Sequence, residues 1–147
     1  MVLRWLQQRY LGEEVYRIQN GTAEVQGRLC RLDPFVDDEG LLRVGGRLKH
    51  STLDSNVKHP VIVPKKSHIT DLLVRYHHER IAHQGRGITS NAIRAEGYWI
   101  IGMSSVVSSC IHKCVICRKL RGKVQYQKMG DLPKSRLEET APLTTVP

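Results

Sequence analysis

Residues 77–117 read HHERIAHQGRGITSNAIRAEGYWIIGMSSVVSSCIHKCVIC, and two pairs of potential metal ligands bracket the stretch. Four residues separate His78 from His83, two separate Cys114 from Cys117, and thirty lie between the pairs. A CxxC places two thiolates on one tight turn, where both can reach a tetrahedral ion. A His pair at a helix end supplies two imidazoles from the other side. Four such donors close the coordination of one Zn²⁺, which makes the site structural rather than catalytic. Each half is weak alone; the order His, His, Cys, Cys around a helical insert is specific. A redox reading of the CxxC lacks the βαβ pattern that would support it. A lone His on a helix is usually a solvated or core residue. His77 adjoins His78, and either imidazole could face the metal. Cys110 and His112 compete on the thiol side. Cys110 falls with Val106, Val107 and Ile111 on the apolar side of its helix, which reads as a buried free thiol; His112 reads as exposed.

Working outward, Ser67 is a helix N-cap, and Ile69, Leu72, Leu73 and Tyr76 form an i, i+3, i+4, i+7 stripe that predicts a helix to about Arg80. Gly85 and Gly87 mark a loop. A short helix is expected over 88–95, stopped by Gly97. Tyr98-Trp99-Ile100-Ile101 is an apolar anchor, and a third helix starts near Ser104. Arg118 to Lys123 reads as a basic linker, and the Pro-containing tail from Gly130 as an extended connector. Upstream, Leu3, Leu6, Tyr10, Leu11, Val15 and Ile18 recur at helical spacing, so residues 2–19 form an amphipathic helix that Asn20-Gly21 ends. Residues 21–40 look irregular, with Asp37-Asp38-Glu39 as a solvated acidic turn. LLRVGGRL at 41–48 reads as a strand pair or bulged strand, and Val61-Ile62-Val63 as a short strand stopped by Pro64. The fold class is therefore α+β: a small N-terminal helix and β region (1–64), a zinc-stapled three-helix bundle (65–122), and an extended connector (123–147). Cys30, His50, His59 and His68 stand alone and read as structural or surface residues.

The formal net charge of +9 is unevenly spread. Residues 1–40 hold 5 Lys/Arg against 7 Asp/Glu, whereas residues 41–130 hold 16 against 4, a local excess of +12. Such a segment suggests a polyanionic partner, and nucleic acid is the commonest. Arg118, Lys119, Arg121 and Lys123 are the expected phosphate contacts, with Arg86 and Arg94 as further candidates. No run approaches the ~18 apolar residues a membrane helix needs. The N-terminus lacks a continuous apolar secretion core, which points to an intracellular protein of the nucleus or cytoplasm. Three cysteines within eight residues then favour metal over disulfides.

The stretch HERIAHQGRGITSNAIRAEGYWI followed by SSCIHKCVICRKLRGK resembles the HHCC zinc-binding domain of retroviral and retrotransposon integrases. The likeness includes Gly85 and Thr89, the Tyr98-Trp99-Ile100 anchor and the basic residues after Cys117. With DDEGLLRVGGRL and HPVIVPKKSH upstream and KMGDLPKSRLEETAPLTTV downstream, about residues 30–147 look like the integrase region of BEL/Pao-type retrotransposon polyproteins. Arg86-Gly87-Ile88 departs from the family, many of whose members have one small apolar residue there. The resemblance implies that His78, His83, Cys114 and Cys117 are the zinc ligands of a three-helix bundle related to helix-turn-helix modules. It also implies that the module supports multimerisation and contacts DNA. The family's DDE transferase domain would begin just after Pro147, so this sequence is expected to lack it. Beyond Cys117 its only acids are Asp131, Glu138 and Glu139.

The expected function is thus a non-catalytic, retroelement-derived zinc module that self-associates or contacts other integrase domains and touches nucleic-acid backbone. The alternative is a protein-interaction remnant with no DNA role. A zinc enzyme, with Glu79 as its base, would need an open coordination position that four protein ligands do not leave.

Overall fold

A computed structural model describes residues 1–21, 29–46, 51, 52 and 54–137 of the chain. The end of the expected 41–48 strand, His50, Glu138, Glu139 and the rest of the connector lie outside the described residues.

The order of elements is α1 (Val2–Gln19), a 3₁₀ turn (Cys30–Leu32), β1 (Pro34–Val36), β2 (Leu42–Val44), α2 (Ser55–Lys58), β3 (Val61–Val63), α3 (His68–Arg80), α4 (Arg86–Ala95), β4 (Tyr98–Ile100), α5 (Met103–Lys113) and α6 (Val115–Arg121). The strands form one sheet in the order β1-β2-β3-β4. The β1-β2 and β2-β3 pairs are antiparallel, and β3 runs parallel to β4. The class is mixed α and β, with the His/Cys cluster on the C-terminal helices.

Strand β3 explains why two apolar cores coexist. Successive strand side chains point to opposite faces, and all three residues of β3 are buried. Val63 joins Val74, Ile93, Ile100, Val107 and Ile111 on the helical side. Ile62 joins Leu11, Val15, Leu42 and Val44 on the other. A strand buried on both faces reads as an unbroken apolar run, as VIV does. Helix α1 serves both cores: Leu6 packs with the first, Leu11 and Val15 with the second. The helix is broken where it changes core, at Leu11, whose φ of −132° is not helical. Gly12 follows directly.

Gln7 ties α1 to the sheet. Its side chain is buried, donates to the carbonyls of Leu42 and Ile62 at 2.9 and 2.7 Å, and accepts from Leu42 N–H at 2.8 Å. Buried backbone groups need partners, and here a side chain 35 residues from Leu42 and 55 from Ile62 supplies them.

Several expectations need correction. Residues 34–36 are not irregular but form β1, in register with β2 through Phe35 and Arg43. Among the described residues 41–46 of the following apolar stretch, Leu42–Val44 is strand. Asp37 is not a solvated turn residue. Its carboxylate accepts from the N–H groups of Glu39 and Leu41 and pairs with Arg43, closing the β1-β2 hairpin. The anchor at Tyr98–Ile100 is strand β4. Arg118 to Arg121 lie on helix α6 rather than in a linker; among the described residues after Arg121, the one regular element is a 3₁₀ turn at Lys134–Arg136. Among the described residues, no helix is long and apolar enough to cross a membrane.

Helices α3, α4 and α5 pack on one another as a bundle of three. Ser67 caps α3, its Oγ accepting from Thr70 N–H at 3.1 Å. The buried face of α3 differs from the apolar stripe. Leu72 and Tyr76 are exposed, whereas Thr70, Val74, His77 and His78 are buried. Thr70 is tolerated inside because its hydroxyl donates to Pro64 O at 2.8 Å.

Candidate metal centre

The His pair is brought together by the way α3 ends. After the helix C-cap at Ile81, Ala82 and His83 both adopt left-handed backbone, with φ of 53° and 61°. Two consecutive non-glycine residues there are uncommon and costly. The turn folds His83 back so that its N–H donates to His78 O at 3.0 Å. Its imidazole meets that of His78 edge-on, 4.5 Å between ring centres.

The thiols arrive from the α5–α6 junction. Cys114 ends α5 and caps α6 in extended conformation, and Cys117 sits one turn into α6, buried. His78 Nε2 lies 3.2 Å from Cys117 Sγ and 2.9 Å from His83 Nδ1. His83 Nδ1 lies 3.4 Å from Cys114 Sγ and 3.8 Å from Cys117 Sγ. All four donor atoms fall within 4.8 Å of one another.

These distances favour a shared cation over hydrogen bonds. One imidazole nitrogen can donate a single proton, yet His83 Nδ1 faces three lone-pair atoms. Tetrahedral zinc, with bonds of about 2.0–2.1 Å to nitrogen and 2.3 Å to sulfur, holds its donors roughly 3.3–3.8 Å apart. The observed contacts bracket that range, and the mixed nitrogen and sulfur donors suit zinc rather than a hard ion. The four side chains are positioned to hold one metal ion.

The local electrostatics favour the ligating forms of His78 and Cys114 and oppose that of Cys117. Burial, with His83 alongside, holds His78 below the ordinary imidazole pKa, so it stays neutral and free to ligate. Backbone N–H groups of Cys117 and Ile116 pull the Cys114 thiol down toward thiolate. Burial pushes the Cys117 thiol up.

The competing residues are sorted by position. His77 is buried on another side of α3, with Glu96 Oε2 at 3.4 Å and no aligned hydrogen-bond partner for either ring nitrogen. Cys110 packs at the edge of the first core, and His112 is exposed. Neither His77 nor Cys110 belongs to the four-atom cluster. His59 reaches Val44 O through Nδ1 at 3.1 Å, while Cys30 and His68 are exposed, each apart from the cluster. Arg118, Lys119, Arg121 and Lys123 are all exposed around α6. Two supporting residues act behind the site: Thr89 Oγ1 donates to Gly85 O at 2.7 Å at the start of α4, and the Arg121 guanidinium lies against Gly85. The left-handed turn at Ala82-His83 had no signal in the sequence, since glycine is absent from it.

A small α+β unit with two imidazoles and two thiolates closed around one point defines a structural zinc-binding domain. Residues 65–123 match the family model described as the integrase zinc binding domain, a match that covers less than half of the chain. No curated protein and no solved structure matches the chain.

Proposed function

We propose that this protein is a non-catalytic zinc module of integrase type, whose single structural Zn²⁺ is held by His78 Nε2, His83 Nδ1, Cys114 Sγ and Cys117 Sγ. The convergence of these four atoms within 4.8 Å carries the reading. In it, residues 65–122 form the metal module, residues 1–64 its helix-and-sheet extension, and residues 123–147 a connector. The resemblance to BEL/Pao-type integrase sequences supports a retroelement origin. Zinc supplies folding free energy by linking α3 to the α5–α6 junction. The module contacts nucleic-acid backbone through Arg118, Lys119, Arg121 and Lys123 and supports self-association. The excess positive charge of residues 41–130 supports the first of these roles.

A second reading, a protein-interaction module with no DNA role, is favoured by one observation. Leu72, Val115 and Ile116 are exposed on α3 and α6 and line one cleft with His78, His83 and Cys114. Binding to duplex DNA of arbitrary sequence across a salt series separates the two. Affinity that falls linearly with log salt supports nucleic-acid contact. Absence of binding at low salt leaves the interaction module.

A further inference from the structure

We propose that the nucleic-acid backbone is seated in one continuous basic trough along α5, rather than on the residues that follow α6. The inference rests on the nucleic-acid reading above and names the surface that carries it. Two clefts flank the same side of α5. One, of about 640 Å³, is lined by Arg86, Arg118 and Arg121. The other, of about 570 Å³, is lined by Lys65 and Arg94. Ser108, half-buried in the middle of α5, lines both, so the two clefts adjoin at that residue. None of the residues lining either cleft is acidic.

The opposite side of α5 provides the contrast. There a third cleft, lined by Ser109 and Cys110, also carries Asp71 and Glu79 beside Arg75 and Lys113, so its charges offset one another. One helix thus separates a purely cationic trough from a mixed one.

Size and chemistry fit a duplex backbone. The eleven residues of α5 span about 16 Å, close to five base-pair rises of about 3.4 Å. Cations stand at both ends of that span, and the Ser108 hydroxyl between them can donate to a phosphate oxygen. Arg94 is held in place over the Trp99 ring, 5.2 Å from its centre, so less side-chain entropy is lost when it meets a phosphate. Arginines of this kind position a duplex without reading its sequence.

The test is a matched pair on one helix. Ser108→Glu puts a carboxylate in the middle of the trough, and Ser109→Glu adds the same charge on the other side of α5. Each is titrated against a short fluorescent duplex of arbitrary sequence at several salt concentrations, with zinc content and thermal melting checked. The expectation for Ser108→Glu is several-fold weaker binding and a log–log salt slope flatter by about one unit, with Ser109→Glu close to the unaltered protein. Ser108 is half-buried, so a second comparison uses exposed residues only. Lys65→Gln/Arg86→Gln/Arg121→Gln should flatten the slope by about two to three units, and Arg75→Gln/Lys113→Gln/Lys128→Gln by less than about one. Equal losses in the two sets would mean diffuse charge attraction and would overturn the trough while leaving nucleic-acid binding in place. An unaltered protein that binds no duplex at low salt overturns the nucleic-acid reading itself.

Discussion

His83 Nδ1 stands 2.9 Å from His78 Nε2, so the two imidazoles present different ring nitrogens to the same point. The difference follows from the backbone. His78 projects from regular helix α3, whereas His83 sits on a left-handed turn that brings its ring back edge-on. A short reach through Nδ1 suits the second position, and a long reach through Nε2 suits the first.

The metal assignment predicts one zinc per chain by native mass spectrometry. His78→Gln and Cys114→Ser should each lose it, along with much of the helical circular dichroism, because binding free energy in such a site is folding free energy. His77→Gln and Cys110→Ser should keep a full equivalent of metal. Zinc loss in Cys110→Ser, with retention in Cys114→Ser, would transfer the ligand role to Cys110.

Gln7 is predicted to be a major stabilising residue of the N-terminal region. Gln7→Leu preserves size but strands the carbonyls of Leu42 and Ile62 and the N–H of Leu42. Leaving buried polar groups unmet costs about 1–3 kcal/mol each, discounted for relaxation. Urea unfolding at saturating zinc should show a loss of roughly 2–4 kcal/mol. A loss within about 0.5 kcal/mol, the range of a neutral surface change, would mean that water replaces the amide.

Gly97 joins α4 to β4 at a φ of +85°, and a Cβ there would lie 2.8 Å from the backbone oxygen of Asn56. Its own carbonyl accepts from Val61 N–H at 2.8 Å, which starts the parallel β3-β4 pairing. Gly97→Ala therefore meets both backbone strain and a clash with main chain. The expected cost is roughly 2–4 kcal/mol by the same unfolding measurement. Gly87→Ala, with nothing within 4 Å of its Cβ, is the control.

Asp37 gives a pH prediction. Burial alone would raise its carboxyl pKa, but Arg43 and the N–H groups of Leu41 and Glu39 outweigh it, and the result is below the usual 3.8. A depressed carboxyl stabilises the fold above its unfolded-state pKa, and that stability is lost as pH falls through the folded-state value. Asp37→Asn, which removes the Arg43 ion pair, should cost about 1–2 kcal/mol at neutral pH. The gap between variant and parent should close as pH drops below 3.8. Comparing the two proteins at each pH cancels the acid loss of zinc common to both. A gap that stays constant into acid would show that the charge of Asp37 contributes nothing.

The four-residue cluster was legible in the sequence because its two halves are local. Five residues of helix end bring His78 near His83, and a CxxC turn brings Cys114 near Cys117, with little help from distant chain. The same holds for the Ser67 cap and for the all-apolar β3, whose signals lie within a few neighbouring residues. Which face of α3 is buried could not be read that way. Apolar spacing selects Leu72 and Tyr76, yet Thr70, His77 and His78 go inside. Thr70 meets Pro64 O, and His78 meets the thiol of a residue thirty-nine positions away.

Tertiary structure alone decided the rest. Strands β1 and β4 are three residues long, too short to show a period, and exist because β2 and β3 offer them hydrogen bonds. Gln7 looks like a surface polar residue in a helix until the central strands β2 and β3 bring Leu42 and Ile62 over it. Lys65, Arg94 and Arg121 are scattered basic residues in the chain and line one trough only after α4, α5 and α6 have packed. Local spacing determines what a residue can reach within a turn or two of chain. Burial, strand pairing and the shape of a charged surface depend on what lies across a packed interface, and that is set when the elements meet.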